Sequence, residues 1–379
     1  MRIVEKTFVA SRYVPSLTGI RALAALLVLG LHTEQNVPAG VTAIAPFLAR
    51  GYLGVDLFFV LSGFIITHVY LSSLAEPTAS AIRIFLWHRL VRLYPVHVTV
   101  LAILVVLVYV ARATGVPFNH PEQWQAADLF WQLTLLHAWG VTANLGWNAP
   151  SWSISAEWFA YLLFPLLAPA LIFVRERLAA LLLAVAALAG AAAIFAIAQW
   201  DLNSWVGAPA LVRVFGEFLC GAAMCRAVAL GQTARLASGS PPPRLPRSSG
   251  DMLGMAGFLL FLIGASSGLP DFGLVALLAL TILGTATAQT VLTRLLGSTA
   301  LVWLGEISYS IYMIHVPALL VLRRFWERAG FMHWPASAKA GAFAVTIGTI
   351  IALAAMLFYL VERPARMRLR DRIGRLAPA

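Results

Sequence analysis

Residues 17–33 read LTGIRALAALLVLGLHT, an apolar run in which Arg21 and His32 are the ionisable side chains. With its flanks (about 16–36) it is long enough to cross a hydrocarbon layer of ~30 Å at ~1.5 Å per residue. It is too long for the core of a cleaved signal peptide, and an arginine sits inside it. It reads as a retained first membrane helix. Similar runs recur at roughly 51–72, 93–112, 151–174, 178–199, 207–229, 252–269, 274–292, 299–321 and 337–361. Of the 379 residues 60% are hydrophobic and 11% charged, and mean hydropathy is +0.83. Soluble domains carry about 25% charged residues, so this chain cannot cover itself with a water-facing surface. The expected fold is all-α, a polytopic transmembrane bundle of about ten spans.

The net charge of +11 does not indicate nucleic acid, because the basic residues punctuate the apolar runs as they do in cytoplasmic membrane loops. With ten spans both termini share a side; that side collects 19 Lys and Arg against 6 opposite, which predicts cytoplasmic termini. The stretch 113–150 is the exception to simple spanning. It carries Pro117, Pro121, Asp128, Asn144, Asn148 and Pro150, and six of the twelve tryptophans lie between Trp124 and Trp158. Tryptophan favours the headgroup region, so this segment is expected to be interfacial or re-entrant. Residues 1–379 read as a single membrane domain, with a Pro/Ser/Gly-rich cytoplasmic loop at 230–251 and an Arg-rich cytoplasmic tail at 365–379. Cys220 and Cys225 make no disulfide framework, and no two of the eight histidines stand at HxxxH or HxxxxH spacing, so no metal is expected.

Ionisable groups inside spans cost a few kcal/mol each and are the best functional clues. Arg21 and His32 are 11 residues apart, which on a helix leaves ~20° between them and ~16 Å along the axis. An arginine can hold a phosphate and a histidine can take a proton from a hydroxyl; a snorkelling arginine and an interfacial histidine would leave the same pattern. Asp56, in the second span, needs a positive or hydrogen-bonding partner, and His32 at similar depth is a candidate. Arg89 and Arg92 lie one turn apart before Pro95, as a positive-inside anchor or as a clamp for a phosphorylated donor. Ser153 and Glu157 share a helical face expected near the outer surface. Arg213 and Glu217, also at i, i+4, read as a structural ion pair. Gly305, Ser308, Tyr312 and His315 form one stripe along a ninth helix, as helix-to-helix hydrogen bonding or as a substrate lining. Gly264-Ala-Ser266-Ser-Gly268 matches a nucleophile-elbow pattern but lacks the strand that motif requires. There is no GxxxxGK[ST] phosphate loop, which argues against an ATP-driven pump.

Three functions remain: a scaffold, a polytopic transporter or exporter of a small metabolite or glycan precursor, and a transferase acting across the bilayer. A scaffold would not keep so many charges in lipid, and the internal repeats common in transporters are not visible. A transferase explains arginines at one level and His32, Asp56, Glu157 and His315 at another, separated by about the length of an extended pantetheine arm.

Arg21-x10-His32, together with GYLGVDLFFVLSGFIIT (51–67), RLVRLYP (89–95), SWSISAEWFAYLLFP (151–165), GEISYSIYMIHVP (305–317) and VERP (361–364), resembles the acyltransferase type 3 family of membrane-bound O-acyltransferases. The segments occur in the family's order across about 17–364. The resemblance implies ten core helices in a bacterial plasma (inner) membrane, with acyl-CoA, commonly acetyl-CoA, as donor and a carbohydrate or other hydroxyl compound as acceptor. It implies that His32 is the essential base and that Arg21 helps bind the donor. Asp56 and Glu157 are carried as further catalytic candidates, Arg89 and Arg92 as donor-binding, and Ser153, Tyr312 and His315 as acceptor-binding. Some family members append a soluble hydrolase-like domain; none is expected after this Arg-rich tail. The implied chemistry is direct attack of the acceptor oxygen on the thioester, since no thiol or hydroxyl is clearly paired with a base for a covalent acyl-enzyme.

Overall fold

The computed structural model describes residues 14–116, 121–142, 145–237 and 248–374. Arg2, Lys6, Arg12, His120, Asn144, most of the proline-rich loop and residues 375–379 lie outside them. All regular elements of the described residues are helical. The principal helices are α1 Pro15–Asn36, α2 Gly54–Tyr70, α3 Ala79–Ala113, α4 Ala126–Leu133, α5 Trp152–Phe173, α6 Arg177–Ala198 and α7 Ala208–Ala237. They continue with α8 Ser249–Ser267, α9 Asp271–Thr287, α10 Val291–Leu296, α11 Thr299–Glu306, α12 Ser308–Arg328, α13 Ala336–Leu357 and α14 Arg363–Gly374. The apolar runs of the sequence fall on these helices, with 299–321 divided between α11 and α12. Eight described helices are long and apolar enough to cross a membrane, nine if the bent pair α11–α12 counts as one, and α9 is a shorter apolar helix. The chain is an all-α polytopic membrane bundle. Residues 230–237, expected in a loop, continue α7, and 249–251 already open α8. The elbow-like motif at 264–268 is the end of α8, where Gly268 adopts the left-handed φ of 82° that favours glycine at a helix terminus.

Helices α1 and α2 contribute to both of the large apolar cores and form the spine of the bundle. Their closeness comes from small residues. A Cβ on Gly54 would strike the Ala24 carbonyl of α1. A Cβ on Gly63 would strike the backbone of Phe218, and one on Gly221 that of Val60, so α2 and α7 cross backbone to backbone. Without a hydrophobic drive between helices in lipid, such close contact is a main source of association. Leu182, Val185 and Ile197 of α6 are 59%, 66% and 84% exposed, giving the outward apolar face that lipid would cover.

The stretch 121–151 does not span. It holds a 3-10 turn at Pro121–Trp124, the eight-residue α4, and a second 3-10 turn at Ala149–Ser151. Buried hydrogen bonds tie it to the bundle. Gln132 gives its carbonyl to His97 Nε2 (2.9 Å) and its amide to the Leu145 carbonyl (2.5 Å). Ser155 Oγ donates to the Leu135 carbonyl at 2.7 Å, and Trp139 Nε1 to the Ser155 carbonyl at 2.9 Å. Backbone away from water must be satisfied within the protein, and these side chains do that. His137 lies in this segment, with Nε2 2.9 Å from Ser151 Oγ. Burial and the nearby His97 ring push it down to about 3, so it is neutral at physiological pH.

Two departures from straight helices matter for the site. The expected single ninth helix is broken between α11 and α12 by 62°. Ser308 Oγ donates to the Gly305 carbonyl at 2.8 Å, engaging an acceptor that an uninterrupted helix would offer to a backbone N–H. The stripe from Gly305 to His315 is therefore split, with Tyr312 and His315 on α12 alone. At the other end α13 runs into a π turn, Phe358–Glu362, before α14.

Candidate active site

Two cavities lie on the face that α1 and α2 turn toward α3, α5, α7 and α12. The first contains Arg21 of α1, Arg89 and Arg92 of α3, and Glu157 and Tyr161 of α5. Among the described residues no side chain hydrogen-bonds or ion-pairs with Arg21. Arg89 donates Nη2 to Tyr70 Oη at 3.1 Å and lies over the Tyr70 and Tyr161 rings at 5.1 and 5.9 Å, while its buried Nε has no partner. Arg92 is ion-paired with Glu362 of the π turn, whose second oxygen accepts from Ser310 Oγ at 2.7 Å. Glu157 accepts from Tyr161 Oη at 2.5 Å. The cavity thus offers donors that no described residue engages, the arrangement an anionic ligand requires.

The second cavity holds His32, Gln35, Tyr52, Trp152, Trp205, Arg213 and His315. His32 Nδ1 is 2.8 Å from the Val28 carbonyl, and His315 Nδ1 is 2.6 Å from the Tyr312 carbonyl. A carbonyl only accepts, so each Nδ1 carries the proton and each neutral ring keeps a lone pair on Nε2. The two rings meet edge to face at 4.9 Å, and the buried His315 Nε2 has no partner. His32 therefore shows its basic nitrogen in the tautomer that can accept a proton. Trp205 is 41% exposed and gives the chamber a flat apolar wall.

Asp56, proposed from the sequence as a partner of His32, is held elsewhere. Its two oxygens take Arg213 Nε (2.8 Å) and Nη2 (2.6 Å). Arg213 also gives Nη1 to the Leu202 carbonyl at 2.6 Å and lies 5.2 Å over the Trp152 ring. The expected Arg213–Glu217 pair is looser, at 3.8 Å, because the bidentate Asp56 contact has the better geometry. Glu157, expected beside His32, instead lines the cavity of the arginines. Ser153 lines the arginine cavity, His315 the histidine chamber, and Tyr312 both. Sequence reasoning missed Arg213 as a chamber wall and Glu362 as the partner of Arg92. The signal for Glu362 was present, as a carboxylate within an apolar run beside arginines. Two hydroxyl–imidazole pairs occur among the described residues, Tyr70–His88 at 3.2 Å and Ser151–His137 at 2.9 Å; the serine is fully buried and shares its hydroxyl with Gln132 Oε1 and the Asn148 carbonyl.

Comparison with known proteins agrees with this geometry. The acyltransferase domain profile of the type 3 family matches residues 14–360. The chain is 29% identical to the acyltransferase MdmB of Streptomyces mycarofaciens, covering 96% of this chain and 93% of that protein. It is 26% identical to the peptidoglycan O-acetyltransferase OatA of Listeria monocytogenes, over 94% of this chain and 56% of that protein. The putative peptidoglycan O-acetyltransferase YrhL of Bacillus subtilis gives 26% over 94% of this chain and 55% of that protein. The chain thus spans about half the length of these two peptidoglycan O-acetyltransferases. No solved structure matches. With a profile match across nearly all of its helices, the chain belongs to the acyltransferase type 3 family.

Proposed function

We propose that this protein moves an acyl group, acetyl in the simplest case, from acyl-CoA to a hydroxyl of a carbohydrate or related acceptor, with His32 as the general base. The termini and the arginine cavity face the cytoplasm of a plasma membrane, and the histidine chamber opens toward the other side. The observation that carries the reading is the fixed tautomer of His32. Its Nδ1–H is spent on the Val28 carbonyl, and its other nitrogen faces a chamber that shares wall residues with a cluster of arginines.

The mechanism follows from these positions. Arg21 and Arg89 meet the phosphates of the donor, and Arg92, tied to Glu362, adds positive field from behind. The thioester lies between the two cavities. His32 Nε2 removes the proton of the acceptor hydroxyl, the oxygen attacks the thioester carbonyl, and the CoA thiolate leaves with a proton returned from the imidazolium. Asp56 acts through Arg213, holding one wall of the chamber. Trp205 and Trp152 supply apolar faces of the kind that the C–H face of a sugar ring contacts, and MdmB and OatA are named for acyl transfer.

The test is His32→Ala, measured as transfer of label from acetyl-CoA in membranes and as acetyl-CoA binding by calorimetry. Loss of a general base typically costs ~10²–10⁴ in rate. The variant should be made, should bind acetyl-CoA, and should transfer nothing measurable. Near-normal transfer by folded protein would move the base to His315 or Glu157.

A further inference from the structure

The two cavities meet at one wall. Val55 and Tyr312 line both of them, and both are buried. Their level is fixed independently by helix packing. Gly54, next to Val55, presses on the Ala24 carbonyl and the Val28 side chain of α1, midway along the run from Arg21 to His32. A donor anchored at Arg21 must therefore bring its acyl group past Val55 and Tyr312 to reach the histidine.

Neither wall can easily withdraw. Val55 is carried by a helix start whose neighbouring glycine already touches backbone. Tyr312 is pinned at its hydroxyl, which donates to the Pro150 carbonyl at 2.9 Å. Its ring lies edge-on to Phe58 at 6.3 Å and beside His315 at 5.6 Å. We propose that Val55 and Tyr312 form a size filter through which the acyl group enters the histidine chamber, so that the enzyme takes short unbranched acyl groups and rejects branched or aromatic ones. This rests on the donor reading above. The end of the pantetheine arm is an unbranched chain, and an acetyl group hardly widens it. A branch at the α-carbon, or a ring, adds width at the atoms that must pass between a valine and a tyrosine held on both sides.

The experiment uses membranes from cells making the full chain, supplied in turn with labelled acetyl-CoA, isobutyryl-CoA and benzoyl-CoA at equal concentration. Label transferred to all acceptors is counted after subtraction of the His32→Ala background. The ratio of isobutyryl to acetyl transfer is the readout, because it cancels differences in the amount of folded protein. A single methylene in a tight pocket changes selectivity by ~10–200-fold. The wild type should favour acetyl within that range, and Val55→Ala and Tyr312→Leu should each raise the ratio by about tenfold or more. Tyr312→Phe keeps the ring but loses the Pro150 tether, so it should raise the ratio by less than Tyr312→Leu does. Equal use of isobutyryl-CoA and acetyl-CoA by the wild type overturns the filter, as does an unchanged ratio in both Val55→Ala and Tyr312→Leu. Absence of His32-dependent label from all three thioesters is a different result: it overturns the donor reading and the filter with it.

Discussion

Replacing Asp56 with alanine tests whether the buried cluster beside the histidine chamber is held by one carboxylate or by two. Arg213 is 1% exposed and Asp56 0%, and the substitution removes two charge-assisted hydrogen bonds of 2.8 and 2.6 Å. Breaking a buried pair from one side costs ~3–5 kcal/mol, because an uncompensated charge is left behind. Here the remaining groups soften the loss. Arg213 keeps the Leu202 carbonyl and the Trp152 face, and Glu217 at 3.8 Å is close enough to move toward it. The expected cost of Asp56→Ala is therefore at the lower end, about 3 kcal/mol. Glu217→Gln is the counterpart. Both Glu217 oxygens lack a hydrogen-bond partner, so in the wild type this substitution should cost no more than about 1 kcal/mol. In the Asp56→Ala background it removes the last anion near Arg213, and the double variant should lose more than the sum of the singles, by ~1–3 kcal/mol. The assay is reversible unfolding of purified protein in mixed micelles, with each single and the double variant compared under one condition. Additive effects, or a Glu217→Gln loss equal to that of Asp56→Ala, would show that the arginine is shared evenly and that the bidentate pair is not the dominant contact.

Other outcomes follow from the same geometry. Arg21→Ala should weaken acetyl-CoA binding by ~1.5–3 kcal/mol, the worth of a charge-assisted contact, with unchanged unfolding, because no ion pair among the described residues depends on Arg21; unchanged affinity in calorimetry would leave it a topological anchor. Arg92→Ala should lower stability as well, since Glu362 is 1% exposed and would keep a more distant Arg366 at 3.6 Å as its ion-pair partner; restored stability in Arg92→Ala/Glu362→Gln would confirm that origin. Burial holds His137 down at about 3 in the fold against the ordinary 6.5 of an exposed histidine, so between those values the unfolded chain takes up a proton that the folded chain does not. Stability should fall as pH drops from 6.5 toward 3, by up to ~1.4 kcal/mol per pH unit from this group. His137→Gln should flatten that dependence, and an equal slope in both proteins would refute the assignment.

The membrane fold was legible because composition and run length alone exclude a soluble bundle, and the runs became helical, that at 299–321 as two helices. Prolines and tryptophans set 113–150 apart in the sequence, and the helices described within 121–151 are short, although the attachment through Gln132 and Ser155 was not legible. Helix phase explains most of what the sequence could not show. Asp56 and Glu157 were recognised as charges out of place, but a position along a helix does not state which neighbour lies opposite. Asp56 faces α7 and finds Arg213, which is 157 residues away. Glu157, five residues beyond Trp152 and so ~140° round α5 from it, lines the arginine cavity while Trp152 lines the chamber. The break at Ile307 lies within the polar run Gly305-Glu306-Ile307-Ser308-Tyr309-Ser310, which its spacing presented as one stripe of a continuous helix.

The π turn at Phe358–Glu362 has a consequence for how this scaffold tolerates length change. A π turn holds one more residue than α-helical winding would, so the surplus is absorbed where it occurs and the helix beyond keeps its angle and height. Removing one residue from the turn would let α-helical winding run through with α14 in place, and Trp87 would keep the Leu369 carbonyl it meets at 2.9 Å. The same one-residue change in the regular winding of α13 would turn α14 by ~100° and shift it by ~1.5 Å. The turn is thus a tolerance for length, and a sequence of the same architecture with one residue fewer at this point needs only to keep a carboxylate opposite its Arg92 equivalent.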